Sequence, residues 1–557
     1  MEYLIVAGVF VGCYLLFIAI GIRDRKREDA RFIKKLKEGY GIPSTKQYKT
    51  DRLKYLASLA AREKRDEELF VDDVTWNDLD MDRVMGRMDY TNSSVGEDAL
   101  YRMLRFPVRD ENVIAKRCER LRFLSEHEAD RNAIFLSLRH IGYAGKYGIR
   151  WYLDSMDEVP KVSQIPTILI DILLVVTLIL GLSVHVGFFL AFIVLLVINV
   201  ITYMMQKSSL APYLAIFFYL LNILDECRTG LPLSKECKEL FKDCMDAIEA
   251  GGKSFRKVMV NAFFFGGEQN GGNEILSIVI MYVNICFHFD MLAFYRSVHY
   301  ITEHKDDFQG MLTALGELEC AASLCCYKKS LPMSCEPEFV GDCSIDAKQT
   351  YHPLLKDPVC NDVRMKKSVL LTGSNASGKS TYLKSVILNA IAAQTIGVVC
   401  AASYKATFFA PYSSMALRDD IFGGESYFIV EINSLKRIFD AAETEEIPVL
   451  CAVDEVLRGT NTAERIGAGC ALLEKLAEGN CLCIAATHDL ELTDLLKERY
   501  ENMHFEETVE DGTVSFAYKL KEGPAKTRNA IRLLKARGFG ADLTDKAERL
   551  ALSYMDR

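Results

Sequence analysis

Gly373, Ser374, Asn375, Ala376, Ser377, Gly378, Lys379 and Ser380 spell G-x-x-x-x-G-K-S, a glycine-framed turn that ends on a cation and a hydroxyl, with Thr381 next. These residue types at this spacing suit a polyphosphate. Backbone N–H groups around the turn face the phosphates, the Lys379 ammonium reaches the terminal ones, and the Ser380 hydroxyl is placed to ligate Mg2+. Further along, the apolar run Val449 to Val453 closes on Asp454 and Glu455. Two carboxylates at a strand end divide the work: Asp454 holds the metal ion, directly or through water, and Glu455 orients and deprotonates an attacking water. A third apolar run, Cys481 to Thr487, ends on His488, which is placed to sense the terminal phosphate. ATP with Mg2+ is the ligand pair this set requires, with Lys379, Glu455 and His488 as the catalytic candidates.

The elements that must position these groups are legible around them. Ser368 to Thr372 reads as a strand feeding the turn, and Tyr382 to Ala393 as the helix after it, whose dipole favours phosphate. In open α/β sheets ligands sit beyond the C-terminal ends of the strands, which is where Asp454, Glu455 and His488 fall. The polar turn Arg458-Gly459-Thr460-Asn461-Thr462 has two readings, a helix-capping loop or a part of the site. Gly423, Gly424 and Ser426 open a long helix, and a helix start with a free hydroxyl is an anion site. Ser426 serves its own phosphate loop or that of a partner, and the second alternative makes the protein a dimer.

The 557 residues are half hydrophobic and carry a net charge of −9, which argues against a whole-molecule polyanion binder and leaves room for a local basic face. Seventeen cysteines without a C-x-x-C pair suit reduced, buried thiols and give zinc no support. Tyr3 to Ile22 is long and apolar enough to span a bilayer and is followed at once by Arg23, Arg25, Lys26 and Arg27, the order of a retained anchor with the following chain in the cytoplasm. Ile165 to Leu182 and Val184 to Met204 read as a membrane hairpin with both ends on the cytoplasmic side, or alternatively as a buried soluble hairpin. Asp171 is the weak point of the membrane reading, since a carboxylate at the centre of a span costs about 2.5 to 3.5 kcal/mol. Pro212 to Leu224 is too short to span, and Ile275 to Tyr295 carries Asn284, His288 and Asp290, so both read as core helices. His185, His288 and His352 have no companions at metal-ligand spacing. Close packing of two helices at Gly96 is expected between Trp76 and Arg105.

Four motifs in order resemble the MutS family of ATPases within the ABC class. They are Thr372-Gly373-Ser374-Asn375 through Thr381, Gly424-Glu425-Ser426-Tyr427-Phe428, Asp454-Glu455 with Arg458-Gly459-Thr460, and Thr487-His488. His352-Pro353-Leu354, Leu315-Gly316-Glu317 and Trp76 to Arg105 are similar to the family's entry into the ATPase, its lever helices and the start of its helical core. The resemblance implies an α/β P-loop ABC-type ATPase domain preceded by an all-α core and lever region, to which the apolar runs add transmembrane helices. It also implies a homodimer closing on ATP, and DNA as a partner. The expected division is an anchor at 1–22, a juxtamembrane linker at 23–70, core at 71–164, a hairpin at 165–205, core and levers at 206–340 and the ATPase at 341–557, in a multi-pass protein of the cell membrane. The chain departs from the family in three places. No mismatch-reading domain precedes the core, and Phe505-Glu506-Glu507 falls in a C-terminal strand. A membrane hairpin stands where a basic DNA clamp would branch. Tyr427 replaces the usual threonine after Ser426. Two functions follow as expectations: mismatch-repair-like DNA metabolism, or an ATP-driven switch on a membrane or protein partner without DNA. Transport is a weak third, because the spans have almost no polar lining.

Overall fold

The computed structural model describes residues 2–65, 68–144, 148–150, 153, 164–256, 258, 274–374, 377–415, 427–510, 513–525, 531, 534–535 and 538–555. Asn375, Ala376 and Ser426, together with the glycine pair at 423–424, lie outside them. The chain opens on α1 (Glu2–Gly39), a single helix that runs through the apolar segment and the arginine cluster and ends at a turn where Gly41 takes a φ of +89°. The helical core follows, with α2 (Ser94–Arg105), α3 (Glu111–Glu126) and α4 (Glu128–Ile141). Next come the hairpin helices α5 (Ile165–Ser183) and α6 (Phe188–Thr229), then α7 (Lys242–Ser254), α8 (Glu274–Phe287), α9 (Phe289–Glu303) and the long α10 (Lys305–Ser330).

The axis of the core is α10, which packs on α2, α3, α4 and α7. Its contact with α2 depends on small residues from both sides. A Cβ on Gly316 would lie 2.5 Å from Ala99 Cβ and 3.0 Å from the Val95 carbonyl, and one on Gly96 would lie 2.1 Å from Glu319 Oε2. The close approach expected at Gly96 is therefore made, and it is made to α10. Glu319 is fully buried at this crossing, accepts from the Asn92 N–H at 2.5 Å and from the Ser93 hydroxyl, and burial pushes its carboxyl up to about 8.

Two helical stretches differ from the sequence expectation. The segment from Pro212 to Leu224 is no separate core helix: α6 runs unbroken for 42 residues, its first part apolar and exposed, its last part burying Leu214, Phe217, Leu220 and Leu224 in the core. The stretch from Ile275 to Tyr295 is two helices, α8 and α9, bent by 79° at His288, whose φ is +49°. Both halves pack on α6, so this stretch joins the hairpin rather than the soluble core alone. The expected core position holds for α9, which buries Met291, Ala293 and Phe294 in the core, while the expected single helix is broken at His288. Among the described residues, Ile165–Ser183 and Phe188–Ala211 are long and apolar enough to cross a membrane, and the bent pair would be a third span if counted as one. Ile168, Leu169, Ile172, Leu190, Ile193 and Val197 are exposed on the hairpin's outer surface.

After α10 the chain builds two sheets from β1 (Glu338–Phe339), β2 (Ile345–Thr350), β3 (Asn361–Met365), β4 (Ser368–Thr372), β5 (Ser403–Ala406), β6 (Ala410–Ser414), β7 (Val449–Asp454), β8 (Cys481–Thr487), β9 (Tyr500–Glu510) and β10 (Thr513–Glu522). The small sheet has the order β1-β5-β2-β3 and the large one β10-β9-β4-β8-β7-β6. Within the large sheet β9, β4, β8, β7 and β6 are parallel, and β10 pairs antiparallel with β9. Strands β4, β7 and β8 are apolar and buried along nearly their whole length because helices cover the sheet. These are α11 (Lys379–Thr395), α12 (Tyr427–Thr444) and α13 (Thr462–Glu478). The described cysteines are all free thiols, mostly buried.

Candidate functional site

Strand β4 ends at Thr372, and the loop that follows returns as α11. Gly373 and Gly378 have φ of +145° and +109°, a backbone that side-chain-bearing residues rarely adopt, which is why the motif needs glycine at both ends. Lys379, first residue of α11, donates from Nζ to the carbonyls of Gly373 (2.6 Å) and Ser374 (2.9 Å), so its ammonium lies inside the turn. Ser377 is buried in the same turn, and Thr381 lines the cavity in front of it.

Because β8 lies between β4 and β7, the ends of all three strands open onto one mouth. Ser380 Oγ donates to Asp454 Oδ2 at 2.6 Å, so hydroxyl and carboxylate are close enough to share one hard cation. That pair of oxygen donors fits Mg2+. Glu455 follows with a φ of +61°, its N–H bonded to the Ala486 carbonyl of β8. One carboxylate oxygen lies 2.8 Å from His488 Nε2 and the other 2.9 Å from Arg458 Nε. The hydrogen bond from His488, with the charges of His488, Arg458 and Lys379, outweighs burial and holds the Glu455 carboxyl below its usual range. An ionised carboxylate beside the metal pair is the state a general base requires.

Both readings of the turn at 458–462 hold. Arg458 touches Glu455, while the Asn461 side chain accepts the Glu464 N–H and caps α13. Leu457 also has a positive φ, +56°, and the loop is held by a residue the sequence reading passed over. Glu431, buried on α12, accepts the N–H groups of Leu457 and Arg458 through one carboxylate oxygen. A carboxylate one turn into the helix that follows the Gly-Gly-x-Ser stretch was the available signal. Behind His488, Asp489 is gripped by the Arg465 fork, whose Nε and one terminal nitrogen each donate at 2.7 Å.

A cavity of about 490 Å3 lies in front of the loop, with Lys379, Ser380, Asp454 and Glu455 at one end and Tyr351, His352, Leu355 and Tyr518 at the other. Burial lowers His352 to about 4, so at neutral pH its ring is an uncharged flat surface. His352 thus has a place at the site that its lone position did not reveal, and Tyr518, from the far edge of the sheet, carried no sequence signal. Asp243, Cys244 and Glu317 lie close enough together to hold an ion, but Arg120 and Lys116 already occupy the two carboxylates.

Comparison with known proteins points the same way. Residues 369–554 match the family model described as MutS domain V. The C-terminal part of the chain is thus similar to domain V of MutS proteins. The chain is 29% identical over 263 residues to the DNA mismatch repair protein MutS of Listeria monocytogenes serotype 4a, covering 45% of this chain and 30% of that protein. It is 32% identical over 194 residues to the DNA mismatch repair protein MutS of Thermus thermophilus, covering 34% and 24%. The chain thus spans less than a third of the length of these MutS relatives. The matched region of the family model starts at β4 and includes every described residue of the phosphate loop, the acidic strand end and His488.

Proposed function

We propose that this protein is a membrane-anchored MutS-like ATPase of the ABC class, in which ATP binding and hydrolysis drive closure of a homodimer and move the helical core. The observation that carries this reading is the single mouth at which Lys379, Ser380 with Asp454, and Glu455 with His488 meet. Lys379 and the loop N–H groups bind the phosphates, and Ser380 and Asp454 hold Mg2+, which neutralises charge on the phosphates. Glu455 takes the proton of the attacking water, with His488 orienting the carboxylate. Ser426 completes the partner's site across the dimer.

Core and site are joined by direct contacts. Arg437 of α12 pairs with Asp72, Ser413 Oγ of β6 donates to Asp78 Oδ2 at 2.7 Å, and Lys384 of α11 meets Asp80 at 2.7 Å. The names of the relatives support DNA as substrate, in mismatch-repair-like metabolism. A second reading, a switch acting on a membrane or protein partner, is favoured by α6, which carries the hairpin straight into the core. The chain would then be a multi-pass protein of the cell membrane with its ATPase in the cytoplasm.

ATP turnover and nucleotide binding by the purified full chain test the reading. Lys379→Ala should weaken nucleotide binding, while Glu455→Gln should bind normally and lose turnover by about 100-fold or more. Equal turnover in Glu455→Gln and wild type removes the base assignment. DNA binding whose affinity falls steeply with salt supports the first reading, and its absence supports the second.

A further inference from the structure

The turn that follows β7 is gripped by the start of α12. Glu455 and Leu457 take φ of +61° and +56° with Val456 between them, and side-chain-bearing residues keep such a backbone only where the surroundings hold it. The N–H groups of Leu457 and Arg458 converge on one point, a small nest for an anion. Glu431 Oε1 fills it, accepting from Leu457 at 2.5 Å and from Arg458 at 3.3 Å. One turn earlier on the same face of α12, Phe428 lies over Gly459, where an added Cβ would stand 3.4 Å from the ring. Val456 and Leu457 are buried beneath the helix in one apolar cluster with Leu435 and Ile438.

Glu431 cannot itself act on the nucleotide. It is 6% exposed, it is not among the residues lining the cavity in front of the phosphate loop, and its second oxygen is buried without a hydrogen-bond partner among the described residues. Burying a carboxylate with one oxygen idle is costly, so the bonds of the other oxygen must matter. They fix the backbone of Arg458, whose Nε stands 2.9 Å from one Glu455 oxygen while His488 holds the other. We propose that Glu431 is a positioning residue for Glu455, aiming the base from α12. The inference rests on the ATPase reading and adds a line of control to it. Arg437, about 9 Å further along the same helix, pairs with Asp72 and donates to Thr75 Oγ1 at 3.2 Å and to the Ser413 carbonyl. The helix that carries Glu431 is therefore seated on the core, and a shift of the core against α12 reaches the base through a single carboxylate oxygen.

The test measures kcat and the equilibrium affinity for a fluorescent, non-hydrolysable ATP analogue in the purified full chain. Glu431→Ala removes the acceptor and should lower kcat by about 10- to 100-fold while the affinity stays within about twofold. Glu431→Gln keeps a carbonyl oxygen for the same two N–H groups and should hold kcat within about threefold of wild type, because only one oxygen is in use. Arg437→Gln should lower kcat in the wild-type background and add little to Glu431→Ala, since it acts through the same residue. Wild-type turnover in Glu431→Ala overturns the proposal, as does a Glu431→Gln variant as slow as Glu431→Ala, an equal loss of kcat and affinity, or additive losses in the double variant. If Glu431→Ala does not fold, Glu431→Asp, which withdraws the oxygen by one methylene, takes its place with the same expected split. Glu455→Gln measured alongside keeps the two readings apart. Full turnover there removes the base itself, whereas an inactive Glu455→Gln beside a fully active Glu431→Ala removes only the positioning.

Discussion

At the scale of single residues, Glu455 shows how much work the protein does to keep one carboxylate available. Its backbone is left-handed, its oxygens are held by His488 and Arg458, and the loop after it hangs from Glu431. Since His488 is the main cause of the low carboxyl range, the sign of a pH effect follows. Turnover should persist as pH falls until Glu455 takes a proton, and in His488→Ala that acid limb should move to higher pH, whatever happens to the maximal rate. A pH–rate profile with the limb unmoved would show that His488 does not set the carboxylate's state. The roles of Lys379, Ser380 and Asp454 were legible because their chemistry depends on fixed spacing along the chain. Tyr518 was not, because it reaches the site from the far edge of the sheet and only packing brings it there, and the sequence positions of His352 and Glu431, at the entry to the ATPase and one turn into α12, did not reveal what their side chains touch.

At the scale of elements, the crossing of α2 and α10 is built on the absence of side chains. Gly316→Ala should cost about 1–3 kcal/mol, since its new methyl meets another Cβ and a backbone carbonyl, neither of which can swing away. Gly310→Ala, on the same helix with nothing within 4 Å of the added carbon, should be neutral or stabilising by up to about 1 kcal/mol. Thermal unfolding midpoints of the two variants in detergent check the pair, and equal shifts would refute the packing argument. Helix existence was readable here from apolar periodicity. Helix continuity was not: Pro212 suggested a boundary that α6 ignores, because the segments on either side are each anchored by packing, whereas His288 breaks a run that hydropathy alone would have joined.

At the scale of the whole molecule, the sequence separated a C-terminal nucleotide domain from a helical region with apolar spans, and the sheet order and the junction between them are what the structure adds. The contacts at Asp72, Asp78 and Asp80 attach the phosphate-loop helix, the edge strand and α12 to one short stretch of the core. If the hairpin spans the bilayer, cysteines placed beside Arg25 and beside Lys207 should be labelled from the same side of the membrane. Labelling from opposite sides would remove the hairpin topology and separate α1 from the core it packs against through Asp29 and His140.

Pro212 lies within α6, where the apolar stretch ending at Ala211 gives way to the buried half, and a proline there cannot donate to the carbonyl one turn back. The helix is therefore a rod with one soft joint, placed where the two media would meet. A change in direction of about 10° at that joint would carry the Phe188 end, some 24 residues and about 36 Å away, sideways by about 6 Å. Small rotations of the core would thus arrive at the far side of the hairpin as displacements the width of a lipid chain.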